Sequence, residues 1–342
     1  MKEPRTLRYL VLLATTACNA RCAYCYRDDE EPREMTPDVA YAALDLAMNS
    51  GAPFHVQLAG GEPTLALDLV ERVGARLRET GTAATIALQT NGIHVDSRLA
   101  EICRRYRIDI GISVDGPPET HERLRGQAAA VFRGLAFLAE AGIPVRVTTV
   151  LTRVNTGRLA RLALTLASYR NIAGFGLDPL VDKGRAVLNE DLFPDKDQVM
   201  SGIRDLTNTM LILEKTYRSR LRWRELDAVR AALAGTARER DYCHACRGES
   251  LAVHPDGTVY PCAQTAGDPS AAAGTVFSVD WDRLREFYRD VRMTGECGDC
   301  PLSGRCPGDC PSRLRYNAAR KDAVMCTVYQ TVAAGITRIF YE

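Results

Sequence analysis

The segment ATTACNARCAYCYRDDE, residues 14–30, places Cys18, Cys22 and Cys25 within eight positions, and the apolar run from Tyr9 to Ala17 leads directly into it. Three readings compete for this stretch: the end of a secretion signal, a zinc knuckle, or an iron–sulfur site. Lys2, Arg5 and Arg8 precede the apolar run as they would in a signal peptide. The run is short for an apolar signal region, however, and Thr15 and Thr16 interrupt it. Two further cysteines follow at once, where a lipid-anchored chain has a loose tether. The run works better as the first strand of a core. No histidine lies nearby to complete a zinc site. Three thiolates, by contrast, can hold three corners of a 4Fe–4S cluster whose full protein ligation takes four. The iron left over is open to a substrate or cofactor.

The rest of the composition is that of an ordinary globular protein. The chain has 342 residues, enough for one large α/β domain with an appendage or for two domains. It is 46% hydrophobic and 25% charged, with a net charge of +1, so nothing in the balance points to nucleic acid or a membrane surface. No stretch approaches the roughly 18–20 apolar residues of a membrane span. Without a convincing signal the expected location is the cytoplasm, where thiols stay reduced and clustered cysteines bind metal. The twelve cysteines are segregated: three in residues 18–25, eight in residues 243–326, and Cys103 alone between. Cys103, beside Ile102 in a helical pattern, reads as a small buried hydrophobe.

From residue 8 to about 180, short apolar stretches alternate with helical patterns. The expected strands are Tyr9–Thr15, Phe54–Leu58, Thr85–Gln89, Ile108–Val114, Val145–Leu151 and Gly174–Asp178. Thr36 and Pro37 open the first helix and Gly51 closes it; Leu65–Glu79, Ser97–Arg105, Ala128–Ala141 and Gly157–Ser168 follow. Such repeats give right-handed βαβ units, a parallel sheet, open or a partial barrel, and chemistry at the carboxyl ends of the strands. Asp195–Ala234 reads as helical, with a basic stretch at Arg218, Arg220, Arg222, Arg224 and Arg230 that fits a solvated face or, alternatively, a docking surface for an acidic peptide. From about residue 240, Gly, Pro and Cys become dense. A region of this texture cannot build much core of its own and needs metal sites to hold it together. The expected division is 1–190, 191–239 and 240–342.

CNARCAYC resembles the CxxxCxΦC signature of the radical S-adenosylmethionine (radical SAM) enzymes, with Tyr24 at the aromatic position. The next signals fall where that family has them. Gly60-Gly61-Glu62-Pro63 after the second strand resembles its GGEP motif, Thr90-Asn91-Gly92 its TNG turn, and Ser113-Val114-Asp115-Gly116-Pro117 its S-Φ-D-G-P segment. His121-x3-Arg125 resembles its HxxxR. The resemblance implies a partial (β/α)6 barrel in which SAM chelates the open iron. Reductive cleavage of SAM then gives a 5′-deoxyadenosyl radical that takes a substrate hydrogen. It also implies that Tyr24, Gly60, Gly61, Glu62, Pro63, Asn91, Ser113, Asp115 and Arg125 bind the cofactor. Glu62 would face the methionine ammonium and Ser113 and Arg125 its carboxylate, while Asp115 or Asn91 would shape the ribose side.

The C-terminal spacing, Cys243-x2-Cys246, Gly257-x4-Cys262, Cys297-x2-Cys300-x5-Cys306-x3-Cys310 and Cys326, resembles the SPASM domain. That resemblance implies two auxiliary 4Fe–4S clusters, one on Cys243, Cys246, Cys262 and Cys310, the other on Cys297, Cys300, Cys306 and Cys326. The residue-level alternative is a pair of zinc ribbons, for which His244 and His254 are the available imidazoles.

SPASM relatives mostly modify peptides and proteins, so the resemblance implies an oxidoreductase that matures a ribosomally made peptide through a thioether, a carbon–carbon cross-link or a similar oxidation. Formylglycine formation in the manner of the anaerobic sulfatase maturases is one alternative, and a small-molecule substrate is another. An electron-transfer protein holding three clusters would leave the GGEP and related turns idle. The sulfatase-maturating group has an aspartate directly after the cysteine of G-x4-C, whereas Ala263 follows Cys262 here. No catalytic base is therefore identified, and Asp178 at the end of the sixth strand is the candidate. Seventeen residues precede Cys18, which leaves no room for a leader-binding domain and implies a separate leader-binding protein if the substrate carries a leader. A flavodoxin or ferredoxin is the expected reductant.

Overall fold

A computed structural model describes residues 6–27, 30–237, 242–291, 297–320 and 323–341. Lys2 and Arg5 lie outside them. The elements run β1 (Tyr9–Leu13), α1 (Pro37–Met48), β2 (Phe54–Ala59), α2 (Leu67–Glu79), β3 (Ala84–Thr90), α3 (Ser97–Tyr106), β4 (Ile108–Ser113), α4 (Pro118–Arg125), α5 (Ala128–Glu140), β5 (Val145–Leu151), α6 (Leu159–Ala167) and β6 (Ile172–Pro179). There follow α7 (Lys196–Lys215), β7 (Arg222–Trp223), α8 (Arg224–Leu233), β8 (Ser250–Val253), β9 (Val259–Tyr260), α9 (Trp281–Glu286), α10 (Pro311–Tyr316) and α11 (Val324–Tyr341). Every strand and helix expected up to residue 180 is present, with ends shifted by at most two residues.

The chain divides into two compact units, and the division falls inside β4, after Gly111. The first unit comprises Met1–Arg21, Tyr26–Gly111 and Cys243–Val291. Its strands lie in the order β3, β2, β1, β8, β9. All but β9 are parallel, in register Leu12 against both Leu58 and Val253. Strands buried on both faces need near-continuous apolar sequence, and Leu10, Leu12, Leu58, Leu88 and all four residues of β8 are buried. The texture of residues 240–342 suggests little core, yet β8 and β9 add to a cluster of Val11, Leu13, Ala252, Tyr260, Ala266 and Ala271. The Cys243–Val291 segment is therefore anchored by apolar packing as well as by any metal it holds.

The second unit comprises Cys22–Cys25, Ile112–Tyr242 and Arg292–Glu342. Strands β5, β6 and β7 pair in parallel. Asp195–Ala234 is not one helix. Asp195 caps α7 through a capping box with Gln198, and α7 stops at Lys215. Arg218 takes a left-handed φ of 50°, and Arg222–Trp223 then pairs with Gly174 and Phe175 on β6 before α8 begins. The physical reason is Trp223: fully buried, it stacks on Phe175 with ring planes 5° apart, and a continuous helix would forfeit that burial. The basic stretch is divided accordingly. Exposed Arg222 pairs with Asp227 and half-buried Arg230 with Glu214, while Arg224 turns to Glu225 and Asp178. Helix α11 packs on α7, where Gly335 leaves room for Thr207.

Candidate functional site

The cysteine loop follows β1 as expected, and each of the twelve cysteines is a thiol rather than half of a disulfide. In the first unit, the chain before Cys18 lies against the turn after β2. Gly60 adopts φ +147°, and a Cβ on Gly61 would come within 2.2 Å of the Ala17 carbonyl. Gly61 N–H donates to Thr15 O and Glu62 N–H to Ala17 O, at 2.7 and 2.8 Å. These are close backbone approaches that only glycine permits. Glu62 is 1% exposed. Its Oε1 accepts from the Thr64 backbone N–H and from the hydroxyls of Thr64 and Thr90, and its Oε2 accepts from Asn91 N–H at 2.7 Å. One carboxylate thus ties the turn after β2 to the turn after β3, while Pro63 opens the short 3-10 turn beside it. Asn91 in turn donates to Asn19 Oδ1 at 2.7 Å, next to Cys18. The buried Nδ2 of Asn19 has no hydrogen-bond partner among the described residues.

In the second unit, the loop carries Tyr24 into a buried polar group. Its hydroxyl donates to Asp115 Oδ2 and accepts from Arg125 Nη1 at 2.6 Å. Asp115 is fully buried. Its Oδ1 accepts from Val150 N–H at 2.8 Å, and Asn155 Nδ2 donates to its carbonyl at 2.9 Å. Burial raises the Asp115 carboxyl, and Arg125 at 3.6 Å and Tyr24 counter it. Burial also raises the Tyr24 phenol well above its ordinary range. His121, beneath this group, accepts from Asp115 N–H; burial and Arg125 push it down to about 3, so it is a neutral imidazole. The Nε of Arg125 is buried without a hydrogen-bond partner among the described residues. Ser113 is the last residue of β4 and half-buried.

The same loop is held by residues that the sequence does not single out. Arg185 Nε donates to Cys22 O at 3.0 Å and Arg185 N–H to Cys25 O at 2.8 Å, while Asn189 Nδ2 donates to Ala23 O at 3.0 Å. The 3-10 segment Gly184–Leu188 after β6 and the Asn189 that ends it thus fix three loop carbonyls. No spacing rule links it to the cysteines.

Asp178 lies at the end of β6, as expected, 3.1 Å from Arg224 and 3.5 Å from Arg313. Burial would raise its carboxyl, but the two guanidinium groups outweigh that and hold it below the ordinary range. A carboxylate clamped in this way is a weak proton acceptor.

Of the later cysteines, Cys243, Cys246 and Cys262 belong to the first unit. Cys243 and Cys262 each cap a short 3-10 turn, and Cys262 Sγ lies 3.2 Å from Tyr288 Oη. Ala263 opens the turn after Cys262, with no acid there. His244 Nδ1 lies 3.1 Å from Glu249, and His254 lies 2.8 Å from Glu30 and 3.0 Å from Asp256, so both imidazoles are engaged by carboxylates. Cys297, Cys300, Cys306, Cys310 and Cys326 belong to the second unit. Gly308 N–H donates to Cys306 Sγ at 3.4 Å and Gln330 Nε2 to Cys300 Sγ at 3.9 Å. Burial and the neighbouring Cys306, Asp309, Cys297 and Cys300 push the Cys326 thiol up to about 11. Among the described residues, no group of three or more His, Cys, Asp or Glu side chains converges on a single-ion site. Cys103 is buried in α3, where burial pushes its thiol up to about 12.

Comparison with known proteins adds the following. A family model described as the Radical SAM superfamily matches residues 12–164. The AdoMet-dependent heme synthase of Oleidesulfovibrio alaskensis is 26% identical over 344 aligned positions, covering 92% of this chain and 86% of that protein. Mycofactocin maturase MftC of Mycolicibacterium smegmatis is 27% identical over 321 positions, covering 86% and 76%. Among solved structures, native anSMEcpe with bound AdoMet and Cp18Cys peptide has a TM-score of 0.78 at 20% identity over 98% of each chain. The α/β fold with a parallel sheet that the sequence implied is shared with that structure. No helix among the described residues is long and apolar enough to cross a membrane.

Proposed function

The chain carries a radical SAM domain at residues 12–164 and has the fold of the SPASM-type maturases, and from that premise we propose that it is a peptide maturase. The observation that carries the reading is the segment Thr15–Ala17, which leads into the cysteine loop and lies against the glycine turn after β2 that Glu62 locks to the turn after β3. The family binds SAM and a 4Fe–4S cluster. The donor set fits: three loop thiols outside any disulfide, and two buried donors, Asn19 Nδ2 and Arg125 Nε, without partners among the described residues. Cys18, Cys22 and Cys25 would hold the cluster. Tyr24, Gly60, Gly61, Glu62, Pro63, Asn91, Ser113, Asp115 and Arg125 would receive SAM. When bound, the pair supplies a 5′-deoxyadenosyl radical able to take a substrate hydrogen.

The protein's part is preorganisation. Arg185 and Asn189 hold the loop carbonyls, Glu62 fixes two turns, and the Tyr24–Asp115–Arg125 group sets the aromatic position of the loop. Because Glu62 already accepts four protein hydrogen bonds, its charge acts on a ligand ammonium from within a locked turn rather than as a free side chain. The cysteines between 243 and 326 would hold the auxiliary clusters, Cys297, Cys300, Cys306 and Cys326 together holding one of them. Held there, such a cluster would supply a route out for the electron left on the substrate after loss of a hydrogen atom and a proton. A peptide substrate is supported by the similarity to the maturase MftC and by the anSMEcpe structure, which holds a bound peptide. A leader-binding protein and a flavodoxin or ferredoxin reductant complete the reading, with the cytoplasm as its place.

A second reading, a small-molecule substrate, is favoured by the heme synthase relative, which matches a larger share of this chain. One anaerobic assay separates the two. Reduced, reconstituted protein is given SAM and a peptide encoded beside its gene, and peptide mass and 5′-deoxyadenosine are followed. A loss of about 2 Da per event, matched by deoxyadenosine, supports peptide oxidation. Deoxyadenosine that rises only when a tetrapyrrole is added, with the peptide unchanged, supports the second reading. Cys18→Ala is expected to abolish deoxyadenosine formation. Cys306→Ala is expected to leave uncoupled SAM cleavage and stop product; full-rate product from Cys306→Ala would remove the electron-exit role.

A further inference from the structure

Asp309 sits within the second cysteine set, three residues after Cys306, and its Oδ1 accepts three hydrogen bonds. The donors are Cys310 N–H at 2.6 Å, Arg313 Nε at 3.0 Å and Arg313 Nη2 at 2.7 Å. Both side chains are withdrawn from solvent, Arg313 to 4% exposure and Asp309 to 10%. Arg313 also donates to Tyr242 Oη at 3.1 Å and faces Asp178 at 3.5 Å. Asp178 is itself paired with Arg224, which also holds Glu225. A chain of alternating charges therefore runs from the start of α8, past the end of β6, to the cysteines. The turn that carries Asp309 also carries Gly308, whose N–H donates to Cys306 Sγ at 3.4 Å. Surface ion pairs do little, but a buried charge that loses its partner acts strongly on whatever charge lies nearby.

We infer that the Asp309–Arg313 pair is a positioning device that sets the reduction potential of the cluster held by Cys297, Cys300, Cys306 and Cys326. The inference rests on the proposed assignment of those four cysteines to a cluster. A reduced cluster carries one more negative charge than an oxidised one. An uncompensated Asp309 opposes that charge, and Arg313 cancels the opposition. Hydrogen bonding and net charge around the sulfurs are established levers on such potentials. Removing either partner therefore moves the potential in opposite directions, which no loss of packing alone would do.

The test uses the full-length, reconstituted protein and follows the electron-paramagnetic-resonance signal that Cys306→Ala removes, during a redox titration with parallel iron analysis. Arg313→Gln is expected to lower the reduced fraction at a fixed potential on the order of tenfold, which for a one-electron couple is about 59 mV. Asp309→Asn is expected to raise it by a similar factor. The double variant and Arg313→Lys, which keeps the charge, are expected to lie near the unsubstituted protein. Unmoved potentials in variants that keep full iron, or shifts of the same sign for both single variants, overturn the inference alone. If Cys306→Ala removes neither iron nor signal, the cluster assignment falls and the inference falls with it. Should Arg313→Gln fail to fold, Asp309→Asn still decides: no rise overturns the inference.

Discussion

His121 is 1% exposed and neutral, and that makes it a source of pH sensitivity. Its folded value is about 3, while an unfolded chain protonates the same ring near the ordinary 6.5. Below that value the unfolded state gains a proton that the folded state refuses. The stabilisation is present above about pH 6.5 and is lost as pH falls. Between pH 6.5 and 5 the linkage removes about 1.5 kcal/mol. Urea unfolding of the wild type should show this loss, and His121→Gln, which keeps an acceptor for Asp115 N–H, should not. Equal losses in the two proteins would place the sensitivity elsewhere. Glu62 is the other residue whose contacts set a prediction. A glutamine there would turn an NH2 group against a fixed backbone donor, Asn91 N–H or Thr64 N–H. Leaving that donor unsatisfied costs about 1–3 kcal/mol. Glu62→Gln should lower the melting temperature and weaken SAM binding together, which calorimetry with and without SAM can measure.

At the scale of elements, α7 approaches the loop before α6 so closely that a Cβ on Gly202 would stand 2.2 Å from the Thr156 carbonyl. A backbone oxygen cannot swing aside as a side chain can. Gly202→Ala should therefore destabilise by about 1–3 kcal/mol, although alanine is the better helix former. A denaturant midpoint at or above that of the wild type would refute the close packing. The strands and helices of the first 180 residues are legible in sequence because each is a short apolar run bounded by turn residues. Val145–Leu151 coincides with its expected span. The break after α7 is not legible. Arg222–Trp223 joins a strand by burying one tryptophan against Phe175 far away in sequence, and nothing in the local pattern records that partner. The turns carrying Gly60–Pro63 and Asn91 were placed by their motifs. The Arg185 and Asn189 contacts were invisible because they connect residues more than 160 positions apart.

At the scale of the molecule, residues after 242 contribute to the interior of both units. Strand β8 covers β1 in the first, and α11 packs on α7 and α8 in the second. A chain ended at residue 242 would leave β1 with an open edge and expose the apolar faces of α7 and α8. Unpaired edges of that kind invite aggregation. Such a truncation should yield little soluble monomer on size-exclusion chromatography. A monomer that melts cooperatively near the full-length temperature would show that the late segment is an accessory.

The grip of residues 184–189 on the cysteine loop also has a meaning in time. A chain emerging from the ribosome at about 5–20 residues per second presents Cys18, Cys22 and Cys25 before the residues that hold their loop. The groups that fix the carbonyls of Cys22, Ala23 and Cys25 arrive only some 160 residues later, and the strand that covers β1 later still. For many seconds the nascent loop is therefore unstructured and its thiols open to oxidants. Orderly loading of metal belongs after synthesis, and brief exposure to oxygen during translation should damage this protein more than the same exposure once the chain is complete.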